Sequence, residues 1–148
     1  MVTVTDAQVA VLRSFLVDGS EDEMASLREH ALRDGGVDGF GALVYAAFVT
    51  AVRRRFSPTW SRADVIQYVA DVRARVSEMP DAINPRAAEN RIRLALNDQV
   101  VDDVDMETRA GIQVIFLKVL VDDAELDDPG IDELLQTARN LVAVSWPS

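Results

Sequence analysis

Three consecutive arginines, Arg53, Arg54 and Arg55, follow Tyr45 closely and are themselves followed by Trp60 and Arg62. Guanidinium forks pair bidentately with phosphates and carboxylates. An aromatic ring beside arginine adds a stacking face. The six residues Arg53, Arg54, Arg55, Trp60, Arg62 and Tyr45 therefore form a candidate binding set for an anionic ligand in a pocket between helices. A plainer account competes with it. Three cations in the last turn of a helix offset the negative end of its dipole and meet carbonyls left without partners. Trp60, and with it Tyr68, also suits an interhelical corner, the reading that packing favours.

No other residues rise to a catalytic constellation, and no catalytic residue, metal or cofactor is expected. The chain has no cysteine, which excludes thiol nucleophiles, thiolate metal sites and disulfides. His30 is the sole histidine and no nucleophile motif accompanies any serine. Lys118 sits within an apolar stretch, where desolvation would favour a neutral amine. Snorkelling or pairing with a carboxylate suits it better. Gly35, Gly36, Gly39 and Gly41 cluster ahead of a helix without the lysine or hydroxyl of a phosphate loop. The acidic clusters at 21–23, 102–107 and 122–128 lack calcium-loop spacing. Asp122 and Asp123 close a helix at its negative end, which calls for a cationic partner from the middle of the chain.

That middle is distinctive. Nine of fourteen arginines fall between Arg53 and Arg93, against the acids Asp64, Asp71, Glu78, Asp81 and Glu89. The segment is thus +4 in a chain of formal net charge −10, and the remainder sums to −14. Such asymmetry gives a fold two electrostatic faces, or lets one part neutralise another. Over most of the surface it disfavours nucleic acid. A helix-turn-helix across Ser57 to Trp60 would carry Asp64 and Asp71 on its reading helix, which also argues against DNA.

The elements that would position these residues are helices throughout. With 148 residues and 49% hydrophobic content, the chain is long enough for one domain with its own core. Thr5 or Asp6 caps a first helix reaching Val17, and Ser20 with Glu23 opens a second, stopped by Gly35 and Gly36. A third, 37–56, carries Phe40, Leu43, Val44, Ala47, Phe48, Ala51 and Val52 on one stripe and is apolar nearly all round. Ser61 with Asp64 starts a fourth, in which Val65, Ile66, Val69, Val72 and Val76 serve packing. Asn84 before Pro85 starts a fifth. A sixth, 106–121, is again apolar on most sides. Asp128 before Pro129 starts a seventh, with Ile131, Leu134, Leu135, Ala138, Leu141 and Val142 facing inward. The expectation is an all-α, single compact domain over residues 1–148, about seven helices, with those near 37–56 and 106–121 central. No uncharged run reaches the length of a bilayer span and no secretory signal opens the chain, so a cytoplasmic protein without a membrane anchor is expected.

The stretch AVRRRFSPTWSRADVIQYVADVRARV is similar to small, all-helical actinobacterial proteins in which A-V-R-R-R-F precedes a tryptophan and an A-D-V-I helix. The likeness is clear over residues 37–98 and loose elsewhere. It implies a helical fold and carries over no activity and no functional residue. The functional expectation is therefore a non-enzymatic protein-interaction module, an adaptor, regulator or immunity-type protein. Its polarised charge would meet a protein partner or a second copy of the chain, as a homodimer. The alternative is a small anionic-ligand-binding protein or enzyme using the arginine and aromatic set above.

Overall fold

A computed structural model of the chain describes residues 4, 6–18, 37–56, 58–75, 84–96 and 106–145. Among these it is all-helical, with α1 Asp6–Asp18, α2 Val37–Arg55, α3 Arg62–Arg75, α4 Pro85–Ala95, α5 Met106–Asp123 and α6 Asp128–Ser145. The helix expected from Ser20 to Gly35 lies outside the described residues, as do His30 and the acidic cluster at 21–23.

Helix starts follow the local hydrogen-bonding chemistry. At α3, Ser61 N–H donates to Asp64 Oδ2 at 2.9 Å while Asp64 N–H donates to Ser61 Oγ at 3.2 Å, a reciprocal box that satisfies two orphan donors. At α4, Asn84 Oδ1 accepts from Ala87 N–H at 3.1 Å and Pro85 fills the first helical position. At α6 the cap is Asp127, one residue earlier than expected. Its Oδ1 accepts from Gly130 N–H at 2.8 Å and its carbonyl takes the first helical bond from Ile131 N–H. Asp128 is then already helical.

Helix α2 packs against α1, α4, α5 and α6, and so occupies the centre. Its residues Leu43, Val44, Ala46, Ala47, Phe48, Val49, Ala51 and Val52 are all buried. Along α5 no residue from Gly111 to Val121 is exposed, as an apolar circumference requires. Helix α6 buries Ile131, Leu134, Leu135, Ala138 and Val142 against α2 and α1. Each fully buried large apolar side chain stabilises the fold by roughly 1.5–3 kcal/mol.

Helix α3 corrects one expectation. Its inward stripe is Val65, Tyr68, Val69 and Val72, while Ile66 stays 45% exposed. The stripe keeps the i, i+3, i+4, i+7 positions from Val65, and Ile66 falls off it by a third of a turn. Val76 lies outside the described residues. Helix α3 rests on α4, and α4 in turn contacts α2 and α5.

Candidate functional site

The three arginines at the end of α2 leave it in three directions. Arg53 Nε donates to the carbonyl of Ala95, the last residue of α4, at 3.0 Å. Arg54 Nη2 reaches Glu133 Oε1 of α6 at 3.5 Å. The Arg55 guanidinium lies over two rings, 5.5 Å from the centroid of Phe56 and 5.2 Å from that of Tyr68. The other three candidates lie elsewhere. Tyr45 is half-buried with the Arg91 guanidinium 5.3 Å from its ring centroid, on the side of α2 facing α4. Trp60 is half-buried and packs against the core. Arg62 is exposed at the first position of α3, where the helix dipole does not favour a cation.

Of the six, Arg54 and Arg55 come together at one concavity. A cavity of about 290 Å³ opens between the ends of α2 and α5 and the start of α6. Its floor is apolar, with Ala51, Leu120, Val121, Leu126 and Leu134, and Arg54, Arg55 and Asp123 stand at its rim. Asp123 is engaged by the Nη1 of Arg75, which donates to Oδ1 at 2.7 Å and Oδ2 at 2.9 Å. That hydrogen bond, and then the charge of Asp123, raise the pKa of Arg75. A middle arginine thus does answer the unfavourable aspartate at the end of α5. Its neighbour Asp122 pairs with Lys118 at 3.0 Å.

Tyr68 sits behind Arg55. It is 3% exposed, its ring edges onto Phe56 at 5.5 Å and tilts against Phe116 at 6.0 Å, and its hydroxyl has no hydrogen-bond partner among the described residues. Burial raises its pKa well above the usual phenol value. Asp123 adds to that rise, while Arg55 and Arg75 oppose it. Lys118 is tethered, as its position suggested. Its Nζ donates to the carbonyl of Leu16, in the last turn of α1, at 2.8 Å.

Surface charge is divided by element. Helices α3 and α4 hold six arginines, of which Arg91 is buried and Arg62, Arg73, Arg75, Arg86 and Arg93 reach the surface, against Asp64, Asp71 and Glu89. Residues 122–133 hold seven exposed acids, Asp122, Asp123, Glu125, Asp127, Asp128, Asp132 and Glu133, with no basic residue among them. The basic and acidic regions adjoin at the Arg75–Asp123 pair. Ion pairs cross between the regions: Arg54 and Arg75 reach Glu133 and Asp123, and Lys118 and Arg13 meet Asp122, Asp128 and Asp132.

Sequence reading missed Leu134 as cavity floor, because a stripe residue looks the same whether it meets protein or space, and missed Leu126 because it lies on no stripe, in the connection between α5 and α6. It registered Asp123 as awaiting a cation and Tyr68 as a corner residue, without joining the two. Gly39 and Gly41 fall within α2, and Gly35 and Gly36 lie outside the described residues. Among the described residues no group of metal-ligating side chains gathers, and no helix is long and apolar enough to cross a membrane. Compared with protein-family models, curated proteins and solved structures, the chain finds no match.

Proposed function

We propose that the chain is a non-enzymatic, cytoplasmic protein-interaction module, one all-α domain over residues 1–148 that selects its partner by charge. What supports this reading is the division of surface charge. The α3–α4 layer is basic in a chain of net charge −10, and the α5–α6 corner presents seven exposed acids within residues 122–133. Opposed fields on one molecule orient an approaching partner and raise the association rate. Because the two regions adjoin at Arg75 and Asp123, a second copy is a partner of fitting chemistry. A two-fold axis at that junction lays each basic layer on the other copy's acidic corner, so the same match is made twice.

Sedimentation velocity at two ionic strengths tests this. Between about 0.01 M and about 1 M salt the screening length falls from roughly 30 Å to roughly 3 Å. A dimer at the lower salt that dissociates at the higher is the expected result. One monomeric mass at both removes self-association. Reversal of the charges at Arg62 and Arg86, both exposed, weakens the low-salt dimer if the α3–α4 layer is its contact surface.

A further inference from the structure

We propose that the cavity between α2, α5 and α6 is a binding site for a medium-chain amphipathic carboxylate, its tail on the apolar floor and its carboxylate on Arg55. The site lies at the same α5–α6 corner that the charge-selected partner above would meet, but it rests on different groups there, the apolar floor and Arg55.

The floor sets the tail. Ala51, Leu120, Val121, Leu126 and Leu134 offer carbon to an occupant and no polar side-chain atom. At about 290 Å³ the space is close to twice the ~150 Å³ cavity that accepts benzene, and sits at the small end of ligand pockets. That suits a linear chain of roughly eight carbons, or one ring with a short spacer.

The rim sets the head. Of the charges there, Asp123 has both oxygens occupied by Arg75 at 2.7 and 2.9 Å, so its repulsion of an incoming anion is offset. Arg54 is held by Glu133 at 3.5 Å, with both side chains exposed, a contact an anion can displace at small cost. Arg55 differs. Among the described residues it meets the faces of Phe56 and Tyr68 and no carboxylate. A guanidinium stacked on a ring keeps its in-plane N–H donors, which match a carboxylate in a bidentate fork. Phe56 and Tyr68 thus hold Arg55 in place while leaving it open to an anion. Of the charged residues that line the cavity, Arg54 and Arg55 stand against Asp123, so the lining itself is cationic at the edge of an acidic corner.

Calorimetric titration at pH 7 with octanoate, 1-octanol and acetate separates tail from head. Saturable one-to-one binding of octanoate is expected, with octanol and acetate each at least roughly tenfold weaker, because each lacks one half of the match. Arg55→Gln should weaken octanoate by at least roughly tenfold. Ala124→Phe, at an exposed cavity-lining position, should block the cavity with the helical circular dichroism unchanged. The proposal is overturned if octanoate does not bind, if octanol binds as well as octanoate, or if octanoate binding survives both substitutions.

Discussion

Tyr68 places packing and polarity in opposition. Its ring contributes to the core through Phe56 and Phe116, but its hydroxyl is carried into the same interior without a partner among the described residues. A buried hydroxyl left unpaired offsets part of what its ring contributes. Tyr68→Phe keeps both ring contacts and removes the oxygen, so stability at pH 7 should stay level or rise by up to about 1 kcal/mol, read from the urea midpoint. The pH dependence has a definite sign. Burial raises the folded-state pKa above the unfolded value of about 10, so above that pH the native state holds more protons than the unfolded one. Stability is then fully present below about pH 10 and declines as pH rises further towards the folded pKa. In Tyr68→Phe that alkaline decline should be shallower; an identical slope in both proteins would show that Tyr68 ionises freely. The residue's burial was legible, because Tyr68 stands at the i+3 position from Val65. The environment of its hydroxyl was not, since that depends on residues distant in sequence that pack around the ring, such as Phe116.

At the scale of elements, the sequence marked helix starts well and their final register less well. Ser61 with Asp64 and Asn84 with Pro85 are each the sole capping choice at their position, and both form as their spacing implies. Before α6 two aspartates compete, and proline is compatible with either the first or the second helical position. The choice falls to Asp127 because the chain arrives through a turn in which Glu125 adopts a positive φ of 52°, a conformation more often given to glycine. No glycine announces that turn, so neither its sharpness nor its effect on the cap could be read. Asp127→Ala should destabilise by about 1 kcal/mol, the usual cost of a lost cap, whereas Asp128→Ala should cost clearly less. Thermal unfolding of the two variants side by side decides between them. Equal losses, or a greater loss for Asp128→Ala, would return the cap to the proline-adjacent residue.

Over the whole molecule, the polar tethers between helices divide into two physical kinds. Ion pairs such as Arg13 with Asp132 at 2.6 Å join α1 to α6 on the surface, where solvent and salt screen them. The other kind docks a cation on a backbone carbonyl of a different element. Lys118 reaches Leu16, Arg53 reaches Ala95, and Arg139 Nη2 donates to Val4 at 2.9 Å. Leu16 and Ala95 lie in the last turns of α1 and α4, whose carbonyls have no acceptor role left inside their own helices. A side chain from another helix thus supplies the cap, and tertiary packing is coupled to helix termination. This coupling is invisible in sequence: a carbonyl carries no residue signature, and Lys118 lies 102 positions from its acceptor. The two kinds of tether should respond differently to salt. Lys118→Met retains the aliphatic stem but leaves the Leu16 carbonyl, partly buried, without its donor; a loss of about 1–2 kcal/mol is expected, nearly the same at low and high ionic strength. Arg13→Gln should show a smaller loss that shrinks as salt is added. Urea denaturation of both variants at two ionic strengths measures the contrast. If the loss from Lys118→Met falls with salt as that of Arg13→Gln does, the Lys118 tether is mainly its pairing with Asp122, and the carbonyls at the ends of α1 and α4 are served by solvent instead.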